Sequence, residues 1–277
     1  MESERHGVVG AYTQPDRTGR GHHRHVNKVK ELAEQRGVPV FQPENINRAD
    51  VLEELKDLHA DVFVVAAYGQ ILKLAFLAIP PLGAFNLHGS LLPRHRGAAP
   101  VQYSIWKGDT EAGVTIFQIE PALDSGPMIG KVATPIGLQE TSGELMLRLA
   151  DLSVDLTFDA LQRLEAGTAA FVPQDTSLVT LAPKIQKHNG RIDWSQSVVQ
   201  VDCHVRAMQP WPKASTQLEV PDRKPFRCIL TAAQPLPALA DLNVRPGSIV
   251  PEDKRLLVQT GDGVLEVQTI QPEGKKP

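Results

Sequence analysis

Asn86 and His88 stand two residues apart in "GAFNLHGS", an apolar run that breaks off at Gly89. In an extended strand, residues at a spacing of two share a face. Both polar side chains therefore address one small volume. An Asn amide can donate to a developing oxyanion, and a His can move a proton near neutral pH. Further along, "ALDSGPM" follows the apolar run "GVTIFQI" and puts Asp124 in the loop just after it. A carboxylate beside an imidazole orients the ring and favours its charged form. Asn86, His88 and Asp124 thus make a set suited to acyl transfer in which the substrate itself is the nucleophile. Spacing alone does not name the reaction. A single His near a strand end is more often structural, and "LDSG" by itself is an ordinary turn.

The elements that would position this set alternate along the first two thirds of the chain. "GVVGAYT" reads as a buried strand, "VNKVKELAEQRG" as an amphipathic helix ending at Gly37, "VPVFQP" as a short strand and "RADVLEELKDLH" as a second helix. "DVFVVAAYG" is almost wholly apolar, as expected of a strand covered on both faces. "ILKLAFLAI" fits a short helix, and "APVQYSIWKG" a helix with Pro100 in its first turn. The strand "GVTIFQI" and the run "PMIGKVATPI" lead to a long helix from about Thr141 to Gly167, where Thr141 and Glu144 have capping-box spacing. This rhythm predicts an α/β fold with a doubly wound, Rossmann-like parallel sheet, and such sheets bind ligands beyond the carboxyl ends of their strands. After Gly167 the pattern changes. One helix, "SQSVVQVDCHVRAMQ", with Ser195 as its expected N-cap, precedes the short strands "ASTQLEV", "FRCILTAA", "GSIV" and "RLLVQTGDGVLEVQTI". The "GDG" between two alternating runs is a hairpin signal. The expected layout is a catalytic domain over 1–172, a linker over 173–194 and a small β-barrel domain over 195–277.

Composition narrows the classes. The chain has 277 residues, 42% of them hydrophobic and 22% charged, with a formal charge of −3. No global basic excess points to nucleic acid, so such binding needs a local patch. Cys203 and Cys228 have no metal or redox spacing, and reduced thiols are expected. The runs near Asp61–Gly69 and Ile71–Leu82 are too short or interrupted to span a bilayer, and "MESERHG" is too polar to open a signal peptide. A soluble, cytoplasmic protein is expected. A local basic run does exist: Arg17, Arg20, Arg24, Lys28 and Lys30 lie in a stretch without acids, interleaved with His22, His23 and His25. On residue types alone this is a solvated loop. No metal is expected there, because the histidines sit among glycines with no further ligand spacing.

"FNLHGSLLPRHRGAAPVQYSIWKGDTEAGVTIFQIEPALDSGPMI" strongly resembles the methionyl-tRNA formyltransferases within the folate-dependent formyltransferases. The Asn-x-His, "SLLP" and "LDSG" elements are shared by the wider family. "TQPDRTGRG" and "RGAAPVQ", together with "RIDWS", "RAMQPWP" and "GDGVLEVQTIQPEGKK", are more particular to the tRNA enzymes. The resemblance implies transfer of a formyl group from 10-formyltetrahydrofolate to the α-amine of initiator methionyl-tRNA, for translation initiation, by a monomer. It implies that Asn86 binds the formyl oxygen, that His88 shuttles a proton, and that Asp124 orients His88. Ser90, Leu91, Leu92 and Pro93 would hold the folate. Arg17, Arg20, Arg24 and Lys28 would reach the tRNA acceptor end, with Lys184, Lys187 and Arg191 along the same path. The β domain, oligonucleotide-barrel-like and carrying Arg223, Lys224 and Arg227, would add contacts. The rival expectations are a relative acting on a small amine and a non-catalytic tRNA-binding relic.

The chain also departs from that pattern. The family begins with one further strand and helix carrying a "GTPxF"-like turn, and it continues past "PEGKKP", so the chain is expected to be truncated at both ends. A late-assigned start, a fragment, or a gene that no longer encodes an enzyme would each account for this. The absent strand is central in the family's sheet, so two inner ladders should be left unpaired around a slot. His95 stands where the family usually has an aromatic residue.

Overall fold

A computed structural model describes residues 6–16, 27–222, 224–236, 244–250, 252 and 254–274. The chain forms two compact units, one of Met1–His88, Thr115–Gly130 and Val154–Gln174, the other of Gly89–Val114, Lys131–Ser153 and Asp175–Pro277.

In the first unit, strand β1 (Ala11–Tyr12) is followed by helix α1 (Lys28–Gln35), strand β2 (Val40–Phe41), helix α2 (Ala49–Asp57), strand β3 (Phe63–Val65), helix α3 (Leu74–Leu77) and strand β4 (Ala84–His88). Asn27 caps α1 by accepting from the Lys30 amide at 3.1 Å. Gly37, at φ 68, ends that turn in the left-handed region glycine favours. β1 pairs in parallel with β2, and β3 in parallel with β4. Among the described residues no ladder joins β1 to β3, so the break expected in the sheet is present: β1 and β2 form a two-stranded ribbon, and β3 belongs to a separate four-stranded sheet. Tyr12 of β1 and Phe63 of β3 nevertheless pack on one cluster of Ile46, Leu55 and Phe76.

The split corrects two expectations from the sequence. "GVVGAYT" is strand only at Ala11–Tyr12, and Val8 and Val9 are 54% and 45% exposed. "DVFVVAAYG" is strand only at Phe63–Val65, with Val64 42% exposed. Val64 reaches the rim of a second core made by Phe85, Ile116, Ile129, Ala160 and Leu164, but it sits at an open sheet edge. Apolar character alone does not bury a strand that is paired on one side.

Strand β5 (Glu111–Gln118), strand β6 (Met128–Pro135) and helix α5 (Ser142–Glu165) run through both units. The sheet order is β3-β4-β5-β6, and β5 is antiparallel to β4, with His88 opposite Thr115 and Asn86 opposite Phe117. The Rossmann-like layer is therefore mixed rather than wholly parallel. Thr141 and Glu144 form the expected reciprocal cap, with the Thr141 amide donating to Glu144 at 2.9 Å. The backbone and side-chain hydrogen bonds from Thr141 hold the Glu144 carboxyl below its ordinary range.

The second unit holds helix α4 (Pro100–Trp106), whose Pro100 occupies the first turn, and helix α6 (Val198–Ala207). The strands β7 (Ala214–Leu218), β8 (Phe226–Leu236), β9 (Ile249–Val250), β10 (Leu257–Gln259) and β11 (Val264–Pro272) form an antiparallel sheet of order β7-β8-β11-β10-β9. Register shifts between Val267 and Ile270 interrupt the long β8–β11 ladder, and such bulges bend a strand. Ser197, not Ser195, caps α6, accepting from the Gln200 amide at 3.2 Å. Ser195 is taken instead by Asp193, to which its hydroxyl and amide both donate. The hairpin expected at "GDG" is present, and its Asp262 also accepts from the Val198 amide at 2.7 Å at the start of α6.

Candidate active site

β4 ends on Asn86 and His88, on one face, because the ladder to β5 keeps the strand extended through both residues. His88 is 4% exposed and lies edge-on to Phe117, ring centroids 6.3 Å apart. Asn86 is half-buried. The loop after β5 brings Asp124 back to this strand end. Its Oδ2 lies 3.7 Å from His88 Nδ1, and its side chain is 16% exposed. That separation is inside ion-pair range and beyond the usual hydrogen-bond length. The three residues proposed from spacing alone thus belong to one unit, with the imidazole and the carboxylate adjacent.

The Asp124 loop is tightly shaped. Asp124 itself has φ 46, a left-handed conformation that Asp tolerates better than most residues. Gly126 is required by close approach, since a Cβ there would lie 1.8 Å from the Gln118 carbonyl oxygen. Gln174, 9% exposed, donates from its side-chain nitrogen to the carbonyls of Asp124 and Gly126, both at 2.9 Å. Val172, two residues earlier, bridges Met128 through paired backbone hydrogen bonds of 2.8 Å. Sequence reading missed Gln174. Its separation of about fifty residues from Asp124 leaves no local pattern to find.

In the second unit, the segment following His88 is anchored by its own contacts. Ser90 is fully buried and its hydroxyl donates to the Arg94 carbonyl at 2.6 Å. Leu92 is 2% exposed. Of the four expected folate-binding residues, Leu91 and Pro93 keep half-buried side chains. His95, at φ 60 and 3% exposed, pairs with Asp109 at 2.7 Å, and Arg94 reaches the other oxygen of that carboxylate at 2.5 Å. Burial pushes the Asp109 carboxyl up, but the hydrogen bonds from His95 and Arg94 outweigh it, and the group titrates below its ordinary value. Gly97 closes against residue 182: a Cβ there would lie 2.6 Å from the Ala182 carbonyl oxygen. A cavity of about 360 Å³ is lined by Leu91, Arg94, His95, Asp109 and Glu111 among others, and by none of Asn86, His88 and Asp124.

The expected tRNA-binding residues are only partly within view. Arg17, Arg20 and Arg24 fall outside the described residues, as does Arg223. Lys28 is exposed and paired with Glu31 at 2.9 Å. Lys184, Lys187 and Arg191 are exposed in the second unit, and among the described residues none forms an ion pair. Arg227 is engaged by Glu273 at 2.9 Å and donates to Ser215, so its charge is matched within the β domain. Among the described residues no group of three His, Cys, Asp or Glu side chains could hold a metal, and no helix is long and apolar enough to cross a membrane.

Comparison with known proteins identifies the class to which this geometry belongs. The formyl transferase family model matches residues 1–161, and the model of its C-terminal domain matches residues 184–277. The chain belongs to the formyl transferase family.

Solved structures share its fold. HypX from Aquifex aeolicus, in complex with tetrahydrofolic acid, is 17% identical at a TM-score of 0.64, over 96% of this chain and 45% of that one. The chain thus spans less than half the length of HypX. An N-formyltransferase from Helicobacter canadensis, in complex with folinic acid and dTDP-3-aminofucose, is 16% identical at a TM-score of 0.63, covering 86% of this chain and 81% of that one. A sugar N-formyltransferase from a Shewanella species is 19% identical at a TM-score of 0.58, covering 74% and 80%.

Proposed function

We propose that the protein transfers a formyl group from 10-formyltetrahydrofolate to the α-amine of methionyl-tRNA. The observation that carries formyl transfer is the buried His88 with Asp124 3.7 Å away, on the strand that also presents Asn86. These groups suit an acyl donor and an amine acceptor. An amide donor suits a developing oxyanion, and an imidazole can move a proton beside a carboxylate that orients it. 10-Formyltetrahydrofolate supplies the formyl group and departs as tetrahydrofolate. Asn86 donates to the formyl oxygen as the amine nitrogen bonds to the formyl carbon. His88 takes the proton released by that nitrogen and returns it to the departing folate nitrogen as the C–N bond breaks. Asp124 holds His88 through this exchange. The segment Ser90–Pro93 would bind the folate, with Ser90 and Leu92 anchoring it and Leu91 and Pro93 facing the ligand.

The choice of tRNA as acceptor rests on the motifs particular to the tRNA enzymes and on exposed Lys184, Lys187 and Arg191. Cations of this kind contact phosphate. A second reading, formylation of an amino sugar, is favoured by the match to sugar N-formyltransferases over most of their length. One assay separates the two: the full chain with 10-formyltetrahydrofolate and either methionyl initiator tRNA or a dTDP-amino sugar. Formyl-methionine on the tRNA is the expected product. Transfer to the sugar alone establishes the second reading, and salt-sensitive tRNA binding with no transfer establishes a relic.

A further inference from the structure

We propose that Gln174 is a positioning residue of the reaction centre, fixing the Asp124–Gly126 backbone and through it the Asp124 carboxylate against His88. The proposal rests on the reading of His88 and Asp124 as the pair that moves the proton. The side-chain amide of Gln has two N–H donors. Gln174 uses them on the carbonyls on either side of Ser125, at 2.9 Å each. The residue is 9% exposed, so solvent is a poor substitute for either bond. The backbone it spans is one that needs holding, because Asp124 sits at φ 46.

Both ends of this clamp are held in place. The Met128–Val172 bridge fixes the strand-like segment from which its side chain leaves. The closeness of Gly126 to the Gln118 carbonyl fixes the far side of the loop. The His88–Asp124 spacing is the one the chemistry uses. At 3.7 Å, the His88–Asp124 contact stands less than about 1 Å from a hydrogen bond. A rotation of the Asp124 peptide therefore makes or breaks the contact, and Gln174 governs that rotation. Displacements of that size cost on the order of 10²-fold in rate.

Gln174→Met removes both donors at similar volume, and Gln174→Glu leaves at most one donor, on a protonated carboxyl, with nearly the same shape. Each variant is first checked for folding by thermal melting. The expected result is a fall in kcat of about 10- to 100-fold, with both KM values within about twofold of the parent. In an Asp124→Ala background the same substitution should change kcat by less than about twofold, because Gln174 acts through Asp124. An equal fall in both backgrounds, or a raised KM at unchanged kcat, would overturn the proposal. If the parent protein transfers no formyl group to tRNA or to an amino sugar, the functional reading fails. A crystal structure of Gln174→Met then decides the positional claim: a His88–Asp124 separation beyond about 4 Å upholds it, and an unchanged separation overturns it.

Discussion

Among the described residues, two buried histidines are paired with aspartates, and they are built differently. His88 meets Asp124 at 3.7 Å, whereas His95 meets Asp109 at 2.7 Å, with Arg94 on the same carboxylate at 2.5 Å. The Asp109 pair is closed, its carboxylate shared between the His95 ring and the Arg94 guanidinium. The Asp124 pair is longer, and the backbone of its loop is clamped by the side chain of Gln174. Reaction geometry often tightens only when substrate arrives. A pair that is already saturated contributes to stability and has little left to give a transition state.

This contrast makes the two sites respond differently to mutation. His88→Ala should lower the rate of formyl transfer by about 10³-fold, the middle of the range for general acid–base groups, while tRNA binding persists. A loss confined to melting temperature would erase the contrast. Asn86→Ala should cost about 10²-fold, as expected for one oxyanion donor, read as kcat at saturating substrates.

The His95 side should show itself in stability instead. Gly97→Ala, driving a Cβ against the Ala182 carbonyl, should destabilise by about 2 kcal/mol in a denaturant titration. Asp109→Asn should cost about 1 kcal/mol near neutral pH, discounted for partial solvent screening. Its pH dependence has a definite sign. Because the folded carboxyl titrates below its unfolded value, its contribution is complete above the ordinary carboxylate range. It is lost as pH falls through the depressed value. Parent and variant should therefore converge in acid, and a gap that widens there would show that Asp109 acts by something other than its charge.

What could be read from the sequence was whatever depends on near neighbours. The Thr141–Glu144 cap, Pro100 in the first turn of α4 and the turn at "GDG" are contained within a few residues each, and all three are present. Asn86 and His88 were legible because strand periodicity is local, and Asp124 because its loop follows a strand of obvious pattern. The expected cap at Ser195 failed because Asp193 competes for it from two residues away. The exposure of Val64 was invisible, since it depends on which strand lies beside β3 and not on β3 itself. Gln174 and the His95–Asp109 pair are contacts across the chain, for which composition and period carry no signal.

The carboxylate of Asp262 has a larger reach than its place in a hairpin turn suggests. It closes the first turn of α6 from sixty-four positions further along the chain. Helix and hairpin therefore make one cooperative element: the helix start loses this acceptor whenever the turn opens. In hydrogen exchange, the amide of Val198 should open with the β10–β11 ladder and at the same free energy, so that the end of the sequence keeps time for a helix laid down well before it.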